Sequence, residues 1–267
     1  MSILESGRIF QLVTLILLIV VIVYYFTQAD KGKSWFIRKF AGVDRIDDAL
    51  KLATELQRPV HYAVGDLAEL SGPNVAQVVA GFETMQYIAS FCAKNKTKLI
   101  VTLCGRSGGG GEMVPITNEL VRNVYQKEGA LEDFKIGETV RYVSGERPVY
   151  HAAMQRIFVE ENVASSIMVG PWAGSIWGVT ALGGAMGVYQ ITGTALLWEM
   201  PEQTCIVDHM MYGEEMFAVG AILSGDRNAQ ASLKVQDFVK YFVWLFTLLG
   251  AGALLAGSTA VRDLLRW

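Results

Sequence analysis

The densest cluster of titratable side chains is Asp208, His209, Glu214 and Glu215. Carboxylates beside an imidazole are the donor set of a divalent metal, or the pair needed for general acid–base chemistry. The spacing weakens both readings. Asp208-His209 closes the strand-like run 204–208, whereas Gly213-Glu214-Glu215 opens a helix. Adjacent helical residues point in different directions, and a glutamate at a helix start is favoured by the macrodipole alone. Asp208, Glu214 and Glu215 are therefore expected to cap, to accept from backbone amides, or to pair with a base such as Arg147 or Arg156. The loop 105–111, GRSGGGG, is the second candidate. The amides of Gly108, Gly109, Gly110 and Gly111 could cradle an anion. The loop has no P-loop lysine, does not meet the GxGxxG spacing, and is followed by Glu112, which repels phosphate. A surface loop is expected.

The other reactive residues give less. His61 and His151 have no partner nearby in sequence and read as core or surface histidines. Cys92, Cys104 and Cys205 form no CxxC pair, which excludes a disulfide scaffold or zinc ribbon, and their apolar surroundings suit inert packing. Ser107 in GRSGG at 105–109 meets the bare GxSxG spacing, but the segment is not read as a nucleophile elbow. Neither a catalytic set nor a metal or cofactor is expected.

The elements that carry these residues alternate. Asp44 reads as a helix cap, followed by Ile46, Ala49, Leu50, Ala53 and Leu56 at helical spacing up to Arg58-Pro59. Strands are expected at 60–64, 98–104, 139–143, 166–169, 190–192 and 204–208. Helices are expected around 75–85, 117–127, 150–158 and 214–223. The run KLIVTLC is apolar on both faces, as a central parallel strand must be. This alternation predicts a single mostly parallel α/β sheet with helices on both faces.

Hydrophobic residues make up 52% of the 267-residue chain and charged residues 18%, with a mean hydropathy of +0.31. These values exclude a disordered chain and suit an ordered domain carrying membrane segments. A net charge of −3 gives no basis for nucleic-acid binding. The run 9–26, IFQLVTLILLIVVIVYYF, holds 18 residues without a charge, about 27 Å of helix. Glu5 and the single Arg8 make a poor signal-peptide n-region, and the run exceeds a usual h-region, so a retained anchor is expected. The second span, 241–261, is bounded by Lys240 and Arg262, with Trp244 and Trp267 as interface anchors. Its Gly252/Ala256 and Ala253/Gly257 pairs suit close helix packing in lipid. Lys31, Lys33, Arg38 and Lys39 after the first span, against Arg8 before it, place the intervening domain in the cytoplasm. The chain thus divides into an anchor at 1–30, a cytoplasmic α/β domain at 31–239 and a second membrane helix at 240–267. The uncharged segment 172–192 could pass for a third span. Its five glycines argue instead for a buried or subunit-contact segment.

Several segments resemble an uncharacterised prokaryotic domain family, DUF6754. They are GVDRIDDALKLATELQRPVHYAVG, LIVTLC, ELVRNVYQKEG, IMVGPWAG, ITGTA and, most specifically, VDHMMYGEEMFAVGAILS at 207–224. The resemblance implies flanking membrane helices and places Asp208, Gly213, Glu214 and Glu215 at recurring motif positions. It brings no catalytic residues.

Together these features point to a membrane-anchored, non-enzymatic assembly protein of a prokaryotic cell membrane. Its expected partners are the lipid bilayer, further copies in a homo-oligomer and other membrane-complex subunits. The alternative is a module or enzyme for a small anionic ligand at the carboxyl edge of the sheet. A pore or transporter subunit ranks after that, because neither span carries an intramembrane charge.

Overall fold

The computed structural model describes residues 9–104, 110–174 and 176–265. In chain order they form α1 (Ile9–Asp30), α2 (Ala41–Glu55), β1 (Val60–Ala63), α3 (Val75–Asn95), β2 (Leu99–Cys104), α4 (Gly110–Lys127), β3 (Val140–Ser144), α5 (Arg147–Glu161), β4 (Ser165–Val169), α6 (Trp177–Ala185), β5 (Tyr189–Thr194), α7 (Met200–Ile206), β6 (His209–Tyr212), α8 (Glu214–Ser224), α9 (Arg227–Leu255) and α10 (Ala260–Leu265). Two compact units result. One is the α/β unit, Arg38–Ser224; the other joins the residues up to 37 to those from 225 onward.

The sheet of the α/β unit runs β3-β2-β1-β4-β5-β6, and every neighbouring pair is parallel. This is the doubly wound order, whose two halves diverge from a switch point between β1 and β4. Parallel neighbours require crossovers. Here α3 and α4 serve the first half, whereas α5, α6 and α7 serve the second. Side chains of a strand alternate between faces, and the core splits accordingly. Tyr62, Val101 and Ile167 pack with α2, α3, α4 and α8. Ala63, Ile100 and Met168 pack with Tyr150, Met154 and Phe158 of α5 and with Val179 of α6. β1, β2 and β4 are buried along their whole length, which explains their mostly apolar character.

His61 is the polar exception at the centre of β1. Its Nδ1 lies 2.8 Å from Ser166 Oγ on β4 and its Nε2 2.9 Å from Thr102 Oγ1 on β2. The Tyr150 hydroxyl extends this chain, 3.1 Å from Thr102 Oγ1. The Phe158 ring closes over the imidazole edge-on at 5.1 Å. A buried polar ring is tolerated only with such partners.

Three details differ from the sequence expectation. Asp44 lies in the first turn of α2 rather than at its cap, which is Phe40. The helix expected from 117 begins at Gly110 and absorbs Pro115, so Gly110 and Gly111 start α4 instead of forming a loop. The run 204–208 is not a strand. Pro201 sits in the first turn of α7 and Thr204 Oγ1 bonds back to Met200 O at 2.5 Å, so the segment winds to Ile206, and the strand follows at His209. The segment 172–192, expected to be buried or a subunit contact rather than a third span, is no single helix. It holds Trp172, fully buried, then nine-residue α6 and most of β5, and so belongs to the α/β unit.

In the second unit, α1 and α9 are long and apolar enough to cross a membrane. They run antiparallel. Phe10 meets Phe246 at 5.5 Å between ring centroids, while the Trp35 N–H donates to Gln230 Oε1 at 3.0 Å. Ile16, Val20 and Val23 of α1 and Leu245, Leu248 and Leu254 of α9 stay exposed, as lipid-facing side chains would be. The second apolar helix differs in extent from the expected 241–261. It begins at Arg227 and stops at Leu255, before Gly257 turns the chain into α10. The α/β unit accordingly spans 38–224, within the expected 31–239.

Candidate functional site

In a doubly wound sheet, ligands bind outside the carboxyl ends of the strands, at the switch point. Here β1 ends in Val64-Gly65-Asp66, and β4 ends in Gly170-Pro171-Trp172. The two ends stay in contact. The Leu67 N–H donates to Pro171 O at 3.2 Å, while the Gly170 N–H donates to Gly193 O of β5 at 2.9 Å.

Around this junction the topology gathers polar groups from distant parts of the sequence. Asp66 is buried; its Oδ1 accepts from the Ala173 N–H at 2.9 Å. Its Oδ2 stands 3.1 Å from His151 Nε2 on α5, close for an ion pair but poorly aligned for a hydrogen bond. Glu199, just before α7, is fully buried. Burial holds its carboxyl above the ordinary value, against the Gln203 amide, which donates to its Oε2 at 3.4 Å, and the nearby Gly174 backbone amide, both of which pull it down. Glu202 Oε1 accepts from the Trp177 N–H at 3.1 Å at the start of α6. Trp172 Nε1, Glu199 Oε1 and Gln203 Oε1 are buried without a hydrogen-bond partner.

Chemically this is an acid-lined clamp. Backbone amides between a strand and the start of the following helix, as between β4 and α6, can hold an anion. Here Asp66 and Glu202 occupy the amides of Ala173 and Trp177. Carboxylates at these amides repel a second anion. The Asp66–His151 pair has the chemistry of an acid–base dyad, yet both side chains are almost wholly buried, and its evident work is to tie α5 to the end of β1.

The candidates taken from sequence lie elsewhere. Gly108 and Gly109 fall outside the described residues, and Gly110 and Gly111 form the first turn of α4, after β2. Asp208 sits at the amino end of β6, where Oδ2 accepts from the Gln190 N–H at 2.7 Å. Glu214 and Glu215 start α8 beyond the other end of that strand, and Glu215 Oε2 accepts from the Tyr212 N–H at 3.2 Å. β6 lies four strands from β2, about 19 Å at the usual spacing. Those two segments therefore do not converge. His209 opens β6 with its Nε2 buried and unpartnered. Burial lowers its imidazole below the ordinary value, and the Glu215 charge opposes this. Arg156 pairs with Glu160 at 2.7 Å. Among the described residues, no three His, Cys, Asp or Glu side chains are arranged to hold a metal ion.

A separate groove of about 340 Å³ opens at the opposite, amino edge, lined by Lys96, Lys98, Tyr125, Asp133 and Lys135 among others. It lies away from the switch point, with Lys98 already bound to Glu161 at 2.6 Å and Lys135 to Glu138 at 3.6 Å.

Asp66, Glu199, Gln203 and the His151 contact escaped the sequence reading. One signal was present: Asp66 comes one residue after Gly65 and Trp172 two after Gly170, each glycine just past a buried strand, the place where this topology sets its functional side chains.

The contacts of Asp208 and Glu215 lead to a test. Asp208→Asn and Glu215→Gln are each expected to lower stability by about 1 kcal/mol, the scale of a charge-assisted bond to a backbone amide. Metal content should be the same in wild type and variants. Urea unfolding with elemental analysis checks both; a stoichiometric metal lost on substitution would reassign the cluster as a metal site.

No curated protein matches the chain. The family described as a domain of unknown function, DUF6754, matches residues 1–264. That match covers the α/β unit together with both apolar helices, and by it the chain belongs to the DUF6754 family.

Proposed function

We propose that the protein is a two-pass membrane protein with a cytoplasmic α/β domain, acting without catalysis as a homo-oligomeric assembly component of a prokaryotic cell membrane. The observation that carries the assembly reading is an exposed apolar patch on the α/β unit. Trp177 is 58% exposed, Leu197 76% and Trp198 66%. The bond from the Trp177 backbone N–H to Glu202 and the packing of α6 on α7 bring together the segments that carry them. Large aromatics left in water mark contact surfaces and are enriched in interface cores. The self-occupied amides at the switch point support a structural role for the sheet edge and weigh against an anionic ligand there.

Native mass spectrometry after gentle detergent extraction tests assembly. Wild type is expected as a discrete oligomer, and Trp198→Glu as a monomer with unchanged far-UV circular dichroism. A wild-type monomer overturns the reading.

The orientation has a built-in reporter. Cys205 is exposed, whereas Cys92 and Cys104 are buried. A membrane-impermeant maleimide added to intact cells is expected to leave Cys205 unlabelled until the membrane is permeabilised. Labelling of intact cells would place the domain outside.

A further inference from the structure

At one end of the α1–α9 hairpin, cations and aromatic rings gather around the turn that leaves α1. Lys31, Gly32 and Lys33 follow the helix directly. The Arg227 guanidinium, at the first residue of α9, stands against Gly32: a Cβ placed there would meet Nη1 at 3.8 Å. Lys33 Nζ lies 5.7 Å from the Trp35 ring centroid, and the Trp35 ring is 5.9 Å from that of Tyr25. Tyr24 packs edge-on against Tyr25 at 5.4 Å. The acids of the same corner are Asp30, Asp226 and Asp237. Asp226 caps α9 by accepting from the Ala229 N–H at 2.9 Å, and Asp237 pairs with Lys234 at 3.0 Å. Lys31, Lys33 and Arg227 are all exposed.

We propose that this corner binds the phosphate of an anionic phospholipid headgroup. The inference rests on reading α1 and α9 as membrane spans. Tyrosine and tryptophan settle at the level of the headgroups, so Tyr24, Tyr25 and Trp35 set the depth of the corner. At that depth a phosphodiester is the anion at hand. A guanidinium matches two of its oxygens in a fork, and the two ammonium groups supply point charges beside it. Basic groups on the cytoplasmic side of a span attract anionic lipid in general. The structure adds convergence here, because the second span returns Arg227 to the loop that leaves the first. Lys33 held over the Trp35 ring keeps one ammonium in place.

The test uses the full chain, purified with bound lipid and analysed by native mass spectrometry after exchange into phosphatidylglycerol or phosphatidylcholine of the same acyl chains. Phosphatidylglycerol is expected to be retained at least about fivefold better. Arg227→Gln and Lys33→Gln should each reduce that preference severalfold, with unchanged circular dichroism, while Lys51→Gln on α2 should not. Equal retention of the two lipids, or a preference that survives both substitutions, overturns the proposal. Full displacement of the lipid by millimolar inorganic phosphate would also overturn it, since the corner would then take free phosphate. Alkaline carbonate extraction separates the two layers of the inference. Release of the chain would remove the spanning reading itself, whereas a chain retained in the membrane without lipid preference would remove only the headgroup site.

Discussion

Gly170→Ala is expected to cost about 4 kcal/mol or more, a large share of the roughly 5–15 kcal/mol that holds a domain folded. Gly170 has a φ of +154°, and a Cβ there would lie 1.6 Å from Val64 O. The obstacle is backbone, so no side-chain rotation relieves it. Gly65, across the same junction, has a φ of +117° and would place a Cβ 2.3 Å from Pro171 O. The two glycines let the ends of β1 and β4 remain together where a doubly wound sheet commonly opens a crevice. Gly129→Ala is the control, with a φ of +72° and nothing within 4 Å; it should cost about 1 kcal/mol from backbone conformation alone. Urea unfolding of the detergent-solubilised full chain measures both. Equal costs at the two positions would mean that β1 and β4 do not approach as described.

Acid should unfold the α/β unit through His61 well before its carboxylates matter. Burial, with a smaller contribution from the Arg141 charge, pushes the imidazole down to about 3. In the unfolded chain the ring takes its proton near 6.5. Above that pH neither state is protonated and stability is intact. Between about 6.5 and about 3 only the unfolded state binds the proton, so stability falls by up to about 1.4 kcal/mol per pH unit, roughly 4–5 kcal/mol in all. The lowered His209 acts in the same direction. Glu199 acts in the other: with its carboxyl raised by burial, the native state takes up that proton first, which adds stability as pH falls toward the ordinary glutamate value. His61→Asn keeps one polar contact to Ser166 or Thr102 and cannot titrate. Its stability should be lower at pH 7 but flatter from pH 6.5 to 4.5. Parallel slopes for wild type and variant would show that His61 is not the acid-sensitive group.

Fold class was legible because burial dictates composition. Val60 to Val64 and Leu99 to Cys104 are apolar except for His61 and Thr102 because both of their faces are covered. Strand order was not legible. Nothing local in Ser165–Val169 says that it pairs with β1 rather than β3; that follows from which face the α5 crossover covers. The run 204–208 misleads because its Thr204, Ile206 and Val207 favour strands, while Pro201 and contacts with α6 and β6 make a helix of its first part. The switch-point cluster was hidden for a related reason. Asp66 and Ala173 are 107 positions apart and meet only once β1 and β4 are neighbours. Sequence reasoning favoured Asp208 to Glu215 because density along the chain is visible, whereas convergence across a sheet is not.

The antiparallel pairing of α1 with α9 also sets a timetable for biogenesis. Trp35 and Gln230, which bond across the base of the hairpin, are 195 residues apart. At roughly 5–20 residues per second, a ribosome needs on the order of 10–40 s to make that stretch. Throughout that interval α1 has left the ribosome without its helical partner, and the α/β unit is being synthesised and can fold first. The early intermediate is therefore a chain with one long apolar helix whose interhelical face is unpaired, open to an apolar surface or to the α1 of another nascent chain.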